Sequence, residues 1–576
     1  MRLSEIDYPD GGKKTFCYND VAPSPTVTTT TLIDNTVSPN VQISSTAVAD
    51  GLGHVVQTQL TSDPDGTDNT DTTVDGLGRI WKQSNPYRST NDPTYRVTTH
   101  TYDPLGRITP VVQTDGSIAC ITYSGNCTTI ADEAGKMRKS CQDGLGRMTR
   151  VWEDSNAANY ETDYLYDALN NLIRVDQKGG DSNPANWRTR LFTYNSLSQL
   201  LSAFNPESGT VSYSYDANGN LVQKGSPKPN QTNPATTGTV NFCYDVLNRV
   251  TSKAYNTAAC PPTSAIATYS YDQGTNGIGR RTGMDDGPGL ASWVYDAMGH
   301  VVSEKRTTGP VRTTSYVYNQ DGSVKSVTYP SGRTINYTYS GAGRMLSAVD
   351  PTGPINYITS AKYAPQGASS SYTNGFVAGG FAGITTTNSY NSRLQTVSIS
   401  AASPTASIIS LCYDFHSHTS INLPPCVFPA GTGDNGNVYQ IVNNRDSNRT
   451  QNFTYDYLNR IQQANSSGPT WGETFTIDPW GNLTNRGAVG GKTYYEGLRQ
   501  SALPSNQLTG FGYDAAGNMT SNNGTTYKYN QEGQLTNLII NTTNDIYLYD
   551  GDGRRVKKNI GPVTCGEGRT GDCWSQ

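Results

Sequence analysis

The sequence predicts an all-β protein built from repeated β-hairpins in one wide sheet that is wetted on both faces. Three observations favour this fold class. A seven-residue turn motif recurs along the chain, its copies lie roughly 20 to 29 residues apart, as in stacked supersecondary units, and the composition is too polar for a thick solid core. We therefore expect one continuous array in place of the several domains that 576 residues would otherwise suggest.

The motif is clearest in the heptad that runs from Tyr215 to Leu221. Tyr215 ends a strand, and the Asp216 carboxylate can accept hydrogen bonds from backbone N–H groups two or three residues further on. Gly219 supplies a left-handed residue, after which a new strand begins. Four further copies have the same residue types: Tyr102, Asp103 and Gly106; Tyr295, Asp296 and Gly299; Tyr513, Asp514 and Gly517; and Tyr549, Asp550 and Gly553.

In other copies Asn replaces Gly at the fifth position, and Asn is the next-best residue for a left-handed backbone. This substitution predicts a positive φ there. These copies begin at Tyr166 and Asp167, Tyr244 and Asp245, and Tyr455 and Asp456.

The array is predicted to run from residue 1 to 559, with divergent repeats over 1–110, regular repeats over 111–559 and a divergent tail over 560–576. The first residues have neither the basic start nor the apolar middle of a secretory signal. They look like the inside of a repeat, so we expect the chain to be a fragment whose true start lies upstream.

Composition excludes several classes of protein. Charged residues make up 16% of the chain, against about 25% in ordinary domains, and the formal net charge is −5. Neither a basic stripe nor a long apolar run is present, so we expect no nucleic-acid partner and no membrane span. The 37 tyrosines argue against disorder.

Eight of the ten cysteines form local pairs, which predicts disulfides that staple hairpins or loops in an oxidising compartment. Free buried thiols are the alternative. The candidate pairs are Cys127 and Cys141, Cys243 and Cys260, Cys412 and Cys426, and Cys565 and Cys573.

Two stretches raise the question of a metal. The carboxylates between Asp63 and Asp71 resemble a calcium loop, but the Glu that would complete it is absent, and a hairpin tip is the preferred interpretation. His416 and His418 alternate along a strand beside Asp414, yet no further ligand is evident. We therefore expect both histidines to be polar surface residues and predict no metal and no cofactor.

Tyrosines also alternate along the strands, as at Tyr213 and Tyr215. They predict aromatic stripes that neighbouring hairpins continue, with the turn Arg lying across a neighbouring ring. Such stripes either hold neighbouring repeats of the sheet together or form a sugar-binding platform. The sequence shows no Ser, His and Asp pattern typical of a catalytic triad. Nearly every Asp has a structural role in a turn, so no pair of catalytic carboxylates can be selected, and we expect no enzymatic activity.

These turns resemble those of the RHS/YD-repeat family, as does the run from Tyr390 to Gln395. The resemblance implies a sheet that spirals into a hollow, barrel-like YD shell, here incomplete. In bacterial members such a shell encloses a C-terminal toxin, whereas in teneurins it serves cell adhesion. The family's conserved core and a toxin domain are not recognisable in this chain, so no self-cleavage residue is assigned.

The expected function is that of a non-enzymatic shell or scaffold, part of a secreted or surface-associated bacterial protein of the polymorphic-toxin type. Its expected partner is an enclosed or presented cargo polypeptide. The alternative is an extracellular carbohydrate-binding or adhesive protein that contacts a cell-surface glycan through exposed aromatic residues such as Trp293 or Trp480.

Overall fold

The computed structural model describes residues 2–155, 157–353, 355–416 and 433–560. The prediction of an all-β fold is confirmed, because the regular structure in these residues consists of 46 strands and two short 3-10 helices. The helices are Pro184–Asn186 and Ser447–Arg449. No helix in the described ranges combines the length and apolar character needed to cross a membrane.

The first sheet contains forty strands. Their bounds are β1 Glu5–Asp7, β2 Lys13–Asn19, β3 Thr26–Asp34, β4 Val41–Ala49, β5 Val55–Leu60, β6 Asp68–Val74, β7 Ile80–Ser84, β8 Val97–Tyr102, β9 Ile108–Val112, β10 Ile118–Ser124, β11 Cys127–Ala131, β12 Met137–Gln142, β13 Met148–Glu153, β14 Tyr160–Tyr166, β15 Leu172–Gln177, β16 Arg188–Tyr194, β17 Leu200–Asn205, β18 Gly209–Tyr215, β19 Leu221–Pro227, β20 Thr237–Tyr244, β21 Val250–Tyr255, β22 Ala267–Tyr271, β23 Arg281–Asp286, β24 Gly289–Tyr295, β25 Val301–Thr307, β26 Val311–Tyr318, β27 Val324–Thr328, β28 Thr334–Tyr339, β29 Met345–Val349, β30 Ile355–Tyr363, β31 Ser369–Val377, β32 Ile384–Tyr390, β33 Thr396–Ala402, β34 Ser407–Asp414, β35 Gln440–Asn443, β36 Gln451–Tyr455, β37 Ile461–Ser466, β38 Gly472–Ile477, β39 Leu483–Ala488 and β40 Leu498–Arg499.

A second sheet of six strands follows in the chain. Its strands are β41 Gly512–Tyr513, β42 Met519–Asn522, β43 Thr525–Tyr529, β44 Leu535–Ile540, β45 Thr543–Tyr549 and β46 Arg555–Asn559.

In both sheets each strand pairs antiparallel with the strand that follows it in sequence, as in the β1–β2, β18–β19 and β45–β46 pairs. The chain is thus a long meander, which needs only hairpin connections. Before each repeat motif the register shifts by one residue, for example between Ser214 and Tyr215. This shift is the bulge that accompanies a left-handed residue in the following turn.

The ribbon winds around itself, since residues nearly 300 positions apart are in contact. Lys325 binds Asp34 over a separation of 291 residues, Trp480 binds Gln177 over 303, and Gly551 binds Asp286 over 265. We call residues 2–310 the first coil and residues 311–560 the second coil. Together they make about two coils of a spiral, which confirms the predicted spiralling sheet.

The spiral is hollow. One coil takes about 23 strands, which at roughly 4.8 Å per strand gives a circumference of at least about 110 Å and a diameter of about 35 Å. The accessible surface is 31270 Å², whereas a compact protein of 62.2 kDa would expose about 20,000 Å². Most strand residues are half-buried on both faces, as expected for a single-layered wall.

Two of the candidate disulfide pairs are bonded in the structure. Cys127 and Cys141 lie directly opposite each other on β11 and β12, and Cys243 on β20 is joined to Cys260. Cys412 is disulfide-bonded as well. Cys426, Cys565 and Cys573 lie outside the described residues.

The turn that begins at Asp143 offers a matched test of the positive-φ requirement. Gly146 has φ +79°, whereas Gly144 does not have a positive φ, and a Cβ atom added to either glycine would meet no other atom within 4 Å. We expect Gly146→Ala to destabilise the turn by about 1 kcal/mol, because only the backbone strain remains, and Gly144→Ala to be neutral or slightly stabilising.

Hydrogen exchange of the peptide covering residues 143–147 measures this difference. Exchange should accelerate about fivefold in Gly146→Ala and remain unchanged or slow in Gly144→Ala. Equal effects of the two substitutions would contradict the left-handed requirement.

Candidate functional site: the repeat turns and the seam

Each repeat turn is closed by one aspartate. Asp216 Oδ1 accepts the N–H groups of Asn218 (3.0 Å) and Asn220 (2.8 Å), while Oδ2 accepts the Asn220 side chain at 2.8 Å. Gly219, at φ +88°, donates its N–H to the Asp216 carbonyl at 3.1 Å. The carboxylate therefore bridges residues two and four positions on, one residue further than the sequence suggested.

The copies with Asn at the fifth position behave as predicted, since Asn170, Asn248 and Asn459 have φ between +61° and +66°. The hydrogen bonds to the turn carboxylates also change their acidity. The Asn220 side chain, together with backbone N–H groups, holds the pKa of Asp216 below its ordinary value, against a weaker effect of burial.

Many of the tyrosines at the ends of strands tie their repeat to the preceding one. Tyr215 donates its hydroxyl to the carbonyl of Leu200, the first residue after the preceding repeat turn, at 3.0 Å. The same bond recurs along both coils, at Tyr102, Tyr123, Tyr244, Tyr271, Tyr295, Tyr318, Tyr339, Tyr363, Tyr390, Tyr455, Tyr529 and Tyr549.

The turn arginines cover the same rings. Arg79 lies 4.2 Å from the ring centre of Tyr102, and Arg107 lies 3.9 Å from that of Tyr123. The predicted cation-π contact is thus confirmed. The neighbouring repeat thus contacts the hydroxyl and one ring face of these tyrosines. Of the two interpretations that the sequence offered, contacts between repeats and a sugar-binding platform, the structure agrees with contacts between repeats.

The ribbon has two different edges. The repeat turns, which we name by their first residue, follow one edge, and the linking loops follow the other. Along the seam between the coils, repeat turns of the second coil rest on linking loops of the first. The repeat turns in the seam begin at Asn319, Ser340, Asn391, Asp456, Asp478, Asp514, Asn530 and Asp550, and they contact the chain between Ile33 and Asp286.

Main-chain bonds cross the seam at two points. The Gln320 N–H donates to the Ile33 carbonyl at 2.9 Å, and the Ala515 N–H donates to that of Gln231 at 2.8 Å. Asp514 serves both edges, since it closes its own turn through Asn518 and also accepts the Asn230 N–H at 2.7 Å.

The acidic run that resembled a calcium loop forms part of this seam. Asp63 and Asp68 are both buried, and two arginines lie against them. Arg88 is 2.9 Å from each carboxylate, and Arg344 of the second coil contacts both, at 2.7 Å for Asp68. Burial and the hydrogen bond with Asp63 raise the pKa of Asp68 to about 6, against the arginines. Guanidinium groups thus occupy the place that a calcium ion would take.

A lysine closes the seam further along. The Lys253 side chain is 5% exposed, and its Nζ lies 3.0 Å from both Glu532 carboxylate oxygens and 2.8 Å from the Gly551 carbonyl. The same carbonyl accepts the Tyr269 hydroxyl at 2.8 Å, while the Gly551 N–H donates to Asp286 at 3.0 Å. Each polar group of this cluster therefore has a partner on the opposite coil.

The expectation that His416 is a surface residue is wrong. It is 8% exposed, and Asp414, which is fully buried, lies 3.1 Å from its Nδ1. Asp115 of the first coil and Asp434 of the second come within 4.8 Å of it. The hydrogen bond with Asp414, followed by the charges of Asp434 and Asp115, raises the His416 pKa. His418 lies outside the described residues.

Neither tryptophan named as a glycan contact is among the exposed large side chains. Trp480 donates to the Gln177 carbonyl at 3.2 Å, and Arg188 lies 3.9 Å from its ring centre, so it belongs to the seam. Arg281 lies 4.7 Å from the ring centre of Trp293.

Sequence reasoning missed the seam, although one signal was present. The third residue of most first-coil repeat turns is leucine, whereas the second coil has varied residues there, such as Ala342, Arg393, Trp480, Glu532 and Asp552. Each of these five belongs to a turn that rests on the first coil.

Family comparison agrees with this architecture. Residues 24–233 match the family described as Teneurin YD-shell, and residues 318–355 match the family described as RHS Repeat. These two stretches are therefore similar to RHS/YD repeats, as the turn motifs indicated. A comparison of the chain's sequence with curated proteins yields no match.

Solved structures share this fold. A crystal structure of TcdB2-TccC3 has a TM-score of 0.78 at 17% identity, over 96% of this chain and 32% of that one. A TcdB2-TccC3-Cdc42 structure has a TM-score of 0.77 at 17% identity, over 93% of this chain and 31% of that one. A mutant Tc holotoxin pore from Photorhabdus luminescens has a TM-score of 0.74 at 17% identity, over 94% of this chain and 30% of that one. The chain therefore spans about a third of each.

Acid should open the turns that depend on aspartate. Because the Asp216 pKa is lowered in the folded protein, its stabilising effect is present above the ordinary pKa of about 3.9 and is lost as the pH falls through the lowered value. The turn that begins at Asn195 is a natural control, since Asn195 Oδ1 accepts the same two N–H groups without titrating.

Hydrogen exchange corrected for intrinsic rates checks this between pH 5 and pH 3. We expect residues 216–220 to lose protection while residues 195–199 keep theirs. An equal loss in both turns would show that acid acts on the whole wall.

Removing the seam lysine should open the second-coil turn above it. Lys253→Ala leaves the Glu532 carboxylate and the Gly551 carbonyl without their shared cation, which costs about 3 kcal/mol. Exchange in residues 530–534 should accelerate roughly a hundredfold. The exposed Lys224 on β19, two strands away from Lys253, provides the control Lys224→Ala, which should change nothing. Unchanged exchange in Lys253→Ala would contradict the role of this cluster.

Proposed function

We propose that this protein is a non-enzymatic RHS/YD-repeat shell segment of a secreted bacterial toxin complex, and that it encloses a polypeptide cargo. The observation that carries the proposal is the single-layered wall that coils about twice around an interior, with an accessible surface about one and a half times that of a compact chain. The likeness to Tc toxin structures supports the toxin context.

The wall suits containment better than catalysis or sugar binding. Repeat aspartates such as Asp216 are committed to their turns, and the seam carboxylates of Asp68 and Glu532 face cations of the opposite coil. The two tryptophans that were candidates for glycan contact, Trp293 and Trp480, each lie against an arginine.

A row of leucines indicates that the wall continues. The first-coil repeat turns have no coil beneath them in the described structure, and the leucines at their third position are exposed, from 56% at Leu169 to 85% at Leu52. The row comprises Leu52, Leu77, Leu105, Leu145, Leu169, Leu197 and Leu247. Because the same edge of the second coil is covered by linking loops, we propose that a further shell segment presents linking loops to these leucines.

Size-selective labelling tests the interior. Thr314 and Ser315 are consecutive, half-buried residues of β26, so their side chains point to opposite faces of the wall. Each is replaced in turn by cysteine in a Cys17→Ser and Cys120→Ser background, which removes the exposed free thiols. We expect a small maleimide to modify both cysteines, and a 5 kDa poly(ethylene glycol) maleimide to modify one at least tenfold more slowly.

The same cysteines report cargo. A glycine- and serine-rich polypeptide fused after Gln576 should slow small-maleimide labelling severalfold at the inward position and leave the outward position unchanged. A cysteine that resists both reagents without cargo would indicate a solid core, and equal labelling with and without the fused polypeptide would contradict enclosure.

A further inference from the structure

Three side chains with metal-binding atoms meet across the seam. Asp115 belongs to the first-coil loop between β9 and β10, whereas His416 and Asp434 belong to the second coil, about 300 residues away. Their ligand atoms all lie within 4.8 Å of one another. Asp434 is fully buried, His416 is 8% exposed, and the Asp115 side chain is 8% exposed.

Each aspartate uses one oxygen for local structure and leaves the other facing the cluster. Asp434 Oδ1 accepts Gln395 Nε2 at 2.9 Å and the Gly436 N–H at 3.0 Å. Asp115 Oδ1 accepts the N–H and hydroxyl of Ser117 at 3.0 and 2.6 Å. The Oδ2 atoms of both are buried and have no hydrogen-bond partner.

Buried carboxylate oxygens without hydrogen-bond partners are costly, and the nearby arginine donates no hydrogen bond to either of them. Arg393 directs its donors to the Ser117 hydroxyl (3.0 Å), the Asp434 carbonyl (2.5 Å) and Glu133 (3.1 Å), and its closest approach to Asp115 Oδ2 is 3.9 Å. A cation between the two carboxylates would compensate both.

We propose that Asp115, His416 and Asp434 bind one divalent transition-metal ion, Zn²⁺ in the first place, which clasps the first coil to the second. One imidazole nitrogen with carboxylate oxygens is a donor set that suits Zn²⁺ or Mn²⁺ better than Ca²⁺ or Mg²⁺. In a tetrahedral zinc site the ligand atoms lie about 3.4 Å apart. Side-chain rotations that move these ligand atoms by about 1 Å would therefore bring all three into contact with one ion.

The surroundings match those of a metal-ligating histidine. Asp414 Oδ1 lies 3.1 Å from His416 Nδ1, an arrangement that orients the ring so that its other nitrogen can coordinate. The ligands come from both edges of the ribbon, so the metal would close the seam where the second coil passes over the loop between β9 and β10. This inference holds whether or not the shell encloses cargo.

The test uses the full, untagged chain in the Cys17→Ser and Cys120→Ser background, because free thiols also bind zinc. The protein is stripped with a chelator, titrated with Zn²⁺, Mn²⁺ or Ca²⁺, and analysed by elemental mass spectrometry. We expect one Zn²⁺ or Mn²⁺ per chain, with at least tenfold weaker binding in Asp434→Asn and in Asp115→Asn.

His300→Gln is the matched control. His300 also contacts an aspartate, Asp296, at 3.0 Å, but it belongs to a repeat turn and no metal-binding group was found there among the described residues. Its zinc binding should equal that of the parent chain.

A second readout locates the ion. Hydrogen exchange in residues 113–117 should slow when zinc is added to the parent chain and remain unchanged in Asp434→Asn. The proposal is overturned if the parent chain binds neither Zn²⁺ nor Mn²⁺, if it binds only Ca²⁺, or if both asparagine variants bind zinc as the parent does.

Discussion

The structure depends on one local constraint, the aspartate-closed turn that requires a left-handed residue at its fifth position. In the Asp216 turn, one carboxylate gathers the N–H groups of Asn218 and Asn220, and Gly219 reverses the chain. Because such turns recur after short strands, the chain folds as a meander in which most of the aspartate-closed turns lie on one edge and most of the linking loops lie on the other. The two edges therefore differ chemically, and this difference allows the repeat turns of the second coil to pack on the linking loops of the first.

A wall of a single layer has no thick apolar core, so polar and aromatic contacts hold neighbouring repeats together. Tyr215 and its equivalents donate their hydroxyls to the preceding repeat, and arginines such as Arg79 lie across the following ring. These contacts are modest singly, about 1 kcal/mol each, but they recur along both coils. They also explain why tyrosine is abundant in a chain that has few fully buried apolar residues.

The contacts in the seam differ from those between neighbouring repeats, because they bury charged side chains. Two edges that each carry polar groups must meet away from water, which requires a partner for every buried charge. Arg344 meets Asp63 and Asp68, and Lys253 meets Glu532. In the cluster of Asp115, His416 and Asp434, the Oδ2 atoms of both aspartates are buried without a hydrogen-bond partner, which is why we propose a metal there.

The sequence by itself determined the elements and their local chemistry: the all-β class, the repeat turns, the positive φ at Asn170 and Asn248, and the arginine contacts with tyrosine. These features follow from residues fewer than about 30 positions apart, and a repeat displays them many times. Resemblance to the RHS/YD family added the hollow spiral, which periodicity alone does not specify.

Only the tertiary structure decided which groups meet across the seam. Asp63 with Arg344, and Asp115 with His416, are separated by about 280 and 300 residues. Their pairing depends on how many strands complete one coil, a number set by the accumulated twist and tilt of the whole ribbon. Each pair also occurs once, so no repetition in the sequence reveals it. The position of His416 depends on the same pairing, since it meets Asp115 of the first coil.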